Sequence, residues 1–168
     1  SVRSRVELLW NGGSGTYVKA ATESQAAVGD KTNDGVRVNG DELRCRVVGE
    51  GGNLGLTQRG RIEAAQSGVA LNNDAIDNSA GVDTSDHEVN IKILLDDVVH
   101  SGDLTMKQRS ALLHSMTDEV GGLVLQHNYD QNMVLGNARA QATALLPVHE
   151  RMIRDLASAG ELDRELEF

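Results

Sequence analysis

The sequence predicts an α/β protein in which a small sheet is followed by a C-terminal helical region. Three observations predict it: short β-type runs enter glycine-rich turns, only 5 of the 18 glycines follow residue 90, and apolar residues recur at helical spacing after residue 85. Strands, turns and helices that alternate along the first half are typical of an α/β sheet. We therefore divide the chain into residues 1–85 and residues 86–168.

Two predicted strands lead into glycine-rich turns. Residues 6–10 form a β-type run that enters a turn at residues 11–15, and residues 43–48 form another that enters a turn at residues 49–55. Ligands of α/β sheets bind beyond the carboxyl ends of the strands, and both turns fall there. The sequence therefore predicts that these turns approach a ligand.

The next elements are a short helix and a third strand candidate. Residues 57–67 have helix-compatible apolar spacing, and Gly68 predicts the end of that helix because glycine readily adopts the left-handed conformation of a helix C-terminus. Residues 69–71, Val-Ala-Leu, form the strand candidate.

The second half is predicted to be helical. Ser85 with Glu88 and Thr105 with Gln108 each match a capping box, so helices are predicted to begin at residues 85 and 105. The first apolar stripe ends near Gly102 and the second continues to residue 125. Further helices are predicted over residues 138–146, 148–157 and 162–168.

Charge and composition exclude several partners. The chain has 16 Lys and Arg against 25 Asp and Glu, a formal charge of -9, which repels nucleic acid and anionic membrane surfaces. No apolar run approaches the ~20 residues that span a bilayer. Cys45 is the only cysteine, which suits a reducing compartment, so a cytoplasmic protein is predicted. The chain starts with Ser, close to a predicted strand, and we expect a piece of a longer protein.

The sequence predicts no metal site. None of the five histidines is paired with another at helical i, i+4 spacing, and zinc sites need three or four convergent ligands. Cys45 is interpreted as a buried strand residue rather than a nucleophile.

The turn at residues 49–55 offers backbone beside an amide. It is neither the G-x-G-x-x-G fingerprint, because Leu54 stands at a glycine position, nor a phosphate loop, which would need Lys and Ser or Thr. Gly51 and Gly52 leave room for a flat ring or a ribose, and Asn53 can both donate and accept hydrogen bonds. An ordinary strand-to-helix turn is the alternative.

Residues 77–85 form a second candidate site. Small residues leave a concave surface, the Asn78 amide can bind a carboxamide, and a helix start at Ser85 would favour a carboxylate. The alternative is that Ser85 is only a helix cap.

Three segments closely resemble the large bacterial NAD-specific glutamate dehydrogenases. They are residues 9–19 (LWNGGSGTYVK), 47–55 (VVGEGGNLG) and 77–95 (DNSAGVDTSDHEVNIKILL). The shorter glutamate dehydrogenases have looser counterparts, a Glu-Gly-Ala-Asn turn and an Asn-Ala-Gly-Gly-Val segment followed by Ser. The resemblance covers the whole chain.

The resemblance implies a partial Rossmann-like nucleotide-binding sheet, with residues 1–85 as the second half of a dinucleotide-binding domain and residues 86–168 as the C-terminal helical region. It implies NAD as the cofactor, bound near its nicotinamide half by Gly51, Gly52, Asn53 and Asn78. L-glutamate, converted to 2-oxoglutarate, would be bound through Ser85, with Val82 beside it. The remainder of the parent chain and further copies in a homo-oligomer are the implied partners.

No catalytic residue is predicted within the chain. The family's catalytic lysine and aspartate belong to its substrate domain, and neither is recognisable here. The resemblance places Lys19 and Lys92 outside the family's catalytic lysine segment. We expect the chain alone to be inactive. Two alternatives stay open: a non-catalytic helical module for assembly of a larger enzyme, and a dehydrogenase for another amino acid.

Overall fold

A computed structural model describes residues 2–167, which form two compact units. The first unit comprises Ser1–Asp74 and Met133–Phe168, and the second comprises Ala75–Asn132. The division at residue 85 concerns domains of the parent protein, and it stays a prediction.

The strands all lie in the first unit and pair in parallel. Strand β1 (Leu8–Asn11) pairs with β4 (Val47–Glu50), and β2 (Val18–Lys19) pairs with β3 (Val38–Asn39). The α/β class is therefore confirmed, as two short two-stranded sheets within the described chain.

All three predicted strands are shifted or reduced, and β1 begins at Leu8, two residues later than predicted. Strand β4, which leads into the second glycine turn, begins four residues later than predicted. The preceding residues, 43–46, form an irregular segment because they follow a 3-10 helix over Gly40–Glu42. Residues 69–71 contribute one bridge, in which Ala70 pairs with Val47, rather than a strand.

The first unit is held by a small aliphatic core. Its buried members are Val18, Val38, Leu43, Cys45, Val48, Leu56, Ala64 and Val69. Cys45 is confirmed as a buried side chain, but it lies in the irregular segment before β4 rather than in a strand. Burial raises the pKa of its thiol. The core places β1, β4 and the following helix in one packed body, which positions the two glycine turns.

Eight α-helices occur within residues 2–167. They are α1 (Gln25–Val28), α2 (Gln58–Gln66), α3 (Asp74–Asp77), α4 (Ser79–His100), α5 (Met106–Ser115), α6 (Thr117–Ala140), α7 (Ala142–Ala159) and α8 (Arg164–Glu167). A 3-10 helix also covers Lys31–Asn33. None of these helices is long and apolar enough to cross a lipid bilayer.

Local signals for helix ends were correct at α2 and α5. The Thr57 hydroxyl accepts from the Gly60 N–H at 2.9 Å, and Gly68 follows α2 with a φ of +91°. The predicted capping box of Thr105 and Gln108 is confirmed at the start of α5. The helix predicted to continue to residue 125 instead ends at Ser115, and α6 begins at Thr117.

The capping box predicted at Ser85 is wrong. Helix α4 begins at Ser79, so Ser85 lies within the helix and its hydroxyl donates to the Val82 carbonyl at 2.8 Å. The small side chains between residues 79 and 85 allow the helix to start earlier, and a serine inside a helix bonds to a preceding carbonyl instead of capping.

The second unit is built from α4, α5 and the first part of α6. Leu95 and Val124 are its buried apolar side chains among the described residues. Asn128 on α6 donates to the Ile76 carbonyl at 3.2 Å and to the Ser79 hydroxyl at 2.9 Å, which holds α6 against the start of α4.

Candidate functional site

The two glycine turns meet at one edge of the β1–β4 sheet. Asn11 is opposite Glu50 in the parallel register, so both strands end at the same edge. The Asn11 carbonyl accepts from the backbone N–H groups of Gly51 at 2.8 Å and Gly52 at 3.1 Å. The expectation that each turn follows the carboxyl end of a strand is therefore confirmed, and the structure shows that the two strands are neighbours.

The backbone of Gly13 leaves no room for a side chain at Gly52, and Gly51 packs against the Trp10 ring. A Cβ atom on Gly52 would lie 2.2 Å from the Gly13 carbonyl oxygen, and one on Gly51 would lie 2.5 Å from the Trp10 ring. Because the amides of both glycines already bond to Asn11, these residues shape the turn.

Leu54 holds the tip of the turn in an unusual conformation. Its φ is +56°, the only positive φ of a non-glycine residue within residues 2–167, and its side chain is 64% exposed. Its N–H donates to Asp74 Oδ2 at 2.7 Å, and its carbonyl accepts from the Thr16 hydroxyl at 2.6 Å. A left-handed leucine costs roughly 1–2 kcal/mol, so these bonds hold it there. Asn53, the residue before Leu54, has an exposed side chain, and the fixed backbone of Leu54 sets its position.

A buried network of charged side chains supports the turn from below. Glu50, which is completely buried, accepts from Arg61 Nη2 at 2.7 Å and from the Leu56 N–H at 2.8 Å. Arg61 Nη2 also donates to Asp74 Oδ1 at 2.9 Å. Arg61 therefore joins the two carboxylates that hold the backbone amides of Leu54 and Leu56.

The environment of Glu50 opposes its ionisation. Burial raises the pKa of its carboxyl group, although the Arg61 guanidinium acts in the opposite direction. Sequence analysis missed this network, and its signal was a glutamate at the end of β4, two residues after Val48.

Thr16 is itself fixed by a second set of polar contacts. Its N–H donates to Asp30 Oδ2 at 2.8 Å, and its carbonyl accepts from Nε of the buried Arg37 at 2.8 Å. Hydrogen bonds from the Asn33 amide and from Thr16 lower the pKa of Asp30. The backbone of Thr16, whose hydroxyl bonds to Leu54, is thus fixed by the charged side chains of Asp30 and Arg37.

A cavity of about 530 Å³ opens beside the clamped turn. Its lining includes Thr16, Leu54, Leu56, Thr57 and Arg61. It combines apolar surface with hydroxyl and guanidinium groups. A small polar ligand could therefore be held next to the tip of the turn.

The other sequence-predicted site residues lie in the second unit. Asn78 directly precedes α4, and Val82 and Ser85 follow on its first turns, both with exposed side chains. At 100° per residue, residues 78, 82 and 85 share one face of the helix. The hydroxyl of Ser85 is on that face, but the free amides expected at its backbone are absent because it lies inside α4.

The structure thus groups the predicted residues into two sets. Gly51, Gly52 and Asn53 lie together in the first unit, and Asn78, Val82 and Ser85 lie together in the second. Convergence of the two sets on a single ligand stays a prediction.

The side chains of Lys19 and Lys92 both make polar contacts. Lys19 Nζ donates to Asn39 Oδ1 at 2.7 Å, and Lys92 pairs with Glu88 on α4. That the catalytic lysine lies elsewhere in the parent protein stays a prediction.

Comparison with known proteins points to one family. A sequence model described as "Bacterial NAD-glutamate dehydrogenase, catalytic domain" matches residues 1–138. Relatives named NAD-specific glutamate dehydrogenase are 60% identical over 98% of the chain in Halomonas elongata and 58% identical over 99% in Pseudomonas aeruginosa. One from Mycobacterium tuberculosis is 56% identical over 99%. The chain spans about 10% of the length of these relatives.

Proposed function

Because this chain belongs to the family of bacterial NAD-glutamate dehydrogenase catalytic domains, we propose that it is part of an enzyme that oxidatively deaminates L-glutamate to 2-oxoglutarate and ammonium with NAD. The observation that carries the proposal is the high identity along nearly the whole chain to relatives of that name. The meeting of two glycine turns at the end of parallel strands is the geometry that the proposal requires.

The turn of Gly51, Gly52 and Asn53 is proposed to bind NAD as part of a Rossmann-like nucleotide-binding domain completed by the parent chain. The Asn53 side chain is exposed, and the turn behind it is fixed by the buried network. An amide can both donate and accept, which suits the carboxamide of nicotinamide. NAD supplies the acceptor for the hydride that leaves the α-carbon of glutamate.

The first turns of α4 are proposed to hold the substrate. Asn78 would bond the nicotinamide carboxamide or the substrate, and Val82 would pack against the substrate's aliphatic part. The Ser85 hydroxyl, which donates to the Val82 carbonyl in this structure, would turn to donate to the substrate's side-chain carboxylate. The proposal is supported by the shared face of these residues and by the exposure of Val82 and Ser85. A substrate with a second carboxylate is favoured by the hydroxyl, because a hydrogen bond to a charged group contributes about 1.5–3 kcal/mol.

Catalysis is assigned to the remainder of the parent chain. The residues of this chain bind and orient, while the lysine and aspartate that move protons would come from the substrate domain. The isolated chain is therefore expected to be inactive. Cytoplasmic location and a homo-oligomeric parent are further parts of this proposal, supported by the lone cysteine and by exposed apolar side chains such as Leu94, Leu125 and Val134.

Two substitutions in the full-length enzyme test the proposal. Ser85→Ala is expected to raise the KM for glutamate by roughly 10- to 150-fold, corresponding to loss of about 1.5–3 kcal/mol, and to leave the KM for NAD nearly unchanged. Asn53→Ala is expected to raise the KM for NAD and to leave the KM for glutamate nearly unchanged. Steady-state kinetics with each substrate varied in turn measures both constants. An unchanged KM for glutamate in Ser85→Ala would show that Ser85 does not bind the substrate.

A further inference from the structure

Three potential metal ligands lie together in the second unit. Asp83 and His87 are one helical turn apart on α4, and His127 comes from α6. One ligand atom of each lies within 4.8 Å of those of the other two. His127 Nδ1 is 2.8 Å from Asp83 Oδ2, His87 Nε2 is 3.4 Å from Asp83 Oδ1, and the two imidazole rings stack with centroids 5.8 Å apart. Sequence spacing missed the set because its two histidines are on different helices.

One nitrogen in this group lacks a hydrogen bond. His87 Nε2 is shielded from solvent and has no hydrogen-bond partner within residues 2–167, although it lies close to a carboxylate oxygen. A buried polar atom without a partner is unfavourable and calls for an explanation. A cation between the imidazole and the carboxylate would satisfy Nε2.

We propose that Asp83, His87 and His127 bind a divalent transition-metal cation, with zinc as the best-fitting member of that class. Two imidazoles and one carboxylate are a ligand set that zinc uses, with water in the fourth position. Ligand atoms about 2.0–2.1 Å from a tetrahedral zinc ion are roughly 3.3 Å apart. The separation between His87 and Asp83 already has that length, and the partly exposed His127 ring can adjust.

The cation would join two helices away from the proposed substrate face. Residues 83 and 87 each differ from residue 85 by two positions, or about 200° around α4, so Ser85 points to the other side of the helix. A metal there would act as a clamp between α4 and α6, next to the hydrogen bonds that Asn128 makes. It would stabilise the helix that carries Val82 and Ser85 without touching the substrate. The site therefore does not depend on the proposed function.

Cobalt titration of the metal-stripped, full-length parent enzyme tests the site. Four-coordinate Co²⁺ has an intense visible absorption, and its Kd is read from that signal. His127→Ala and His87→Ala are each expected to weaken binding by at least ~10-fold, because even loss of a residue that only supports a ligand costs 10- to 100-fold. The control is His100→Ala, which removes an exposed histidine from the same helix outside the group.

Equal Co²⁺ affinity and absorption in the two cluster variants and the control would overturn the proposal. A second measurement needs no variant. Zn²⁺ is expected to protect His127 from acylation by diethylpyrocarbonate, as measured by peptide mass spectrometry, while His100 stays reactive. Unprotected His127 at saturating Zn²⁺ would equally overturn it. Ser85→Ala should keep the Co²⁺ signal, so failure of the substrate assignment and failure of the metal site are distinguishable.

Discussion

The two glycine turns and the long helices are stabilised in different ways. The turns rest on a buried core and on polar bonds between residues far apart in sequence, such as Arg61 with Glu50 and Asp74. Helices α4 and α6 have one buried apolar side chain each among the described residues, Leu95 and Val124, and many exposed ones. The comparison indicates that the turn is fixed by contacts within this chain, whereas the helices expose apolar side chains that contacts within the described residues leave uncovered.

The largest expected effect comes from removing the centre of the buried network. Arg61→Met leaves Glu50 and Asp74 without their shared partner and is expected to destabilise the chain by about 3–5 kcal/mol. Urea unfolding followed by circular dichroism measures the change. Arg59→Met, an exposed arginine on the same helix, is the control and should change stability by less than about 0.5 kcal/mol. Equal losses of unfolding free energy in Arg61→Met and Arg59→Met would mean that the turn is not held by this network.

Two neighbouring residues of α6 test whether the helical unit has its own core. Val124 is 5% exposed and Leu125 is 72% exposed. Val124→Ala is expected to cost about 1.5–2.5 kcal/mol, since about 0.8 kcal/mol is lost for each buried carbon and a cavity remains.

Leu125→Ala should cost less than about 0.5 kcal/mol in the isolated chain. A larger loss for the same substitution in the full-length parent, measured by its thermal midpoint, would show that the remainder of the parent covers this face. Equal losses for both substitutions in the isolated chain would contradict the burial difference between these neighbours.

Helix starts provide a third and smaller test. Thr105→Ala removes a capping box and is expected to cost about 1 kcal/mol. Ser85→Ala is expected to be neutral or slightly stabilising, because alanine is the better helix former at an interior position. Urea midpoints of the two variants compare them directly. A cost at Ser85 as large as that at Thr105 would mean that α4 begins at residue 85 after all.

The pH dependence of stability tests the buried glutamate. Because the folded chain raises the pKa of Glu50, the folded state holds this proton more tightly than the unfolded state. The contribution of Glu50 is therefore fully present below its ordinary pKa and is lost as pH rises through the raised value.

Glu50→Gln removes this titration and keeps an acceptor for Arg61. The stability deficit of the variant relative to the original chain should shrink as pH rises above the ordinary glutamate range. Urea midpoints at a series of pH values measure it, and a deficit that grows with pH would show that pairing with Arg61 outweighs burial.

Local sequence signals determined the fold class and several element ends. The order of β-type runs and glycine turns, the cap at Thr57 and the capping box at Thr105 depend on residues within a few positions of one another. Such interactions need only residues close in sequence, so their pattern is visible in the sequence. The Ser85 box failed because a matching pattern does not exclude an earlier helix start.

Only the tertiary structure decided which distant groups meet. The left-handed Leu54, the pairing of Glu50 and Asp74 through Arg61, and the contact of Asp83 with His127, 44 residues later, have no local signature. Each depends on burial and on the packing of separate elements, which set the distance between side chains far apart in sequence. The chemistry of both candidate sites was therefore present in the residues, but its geometry was determined by the fold.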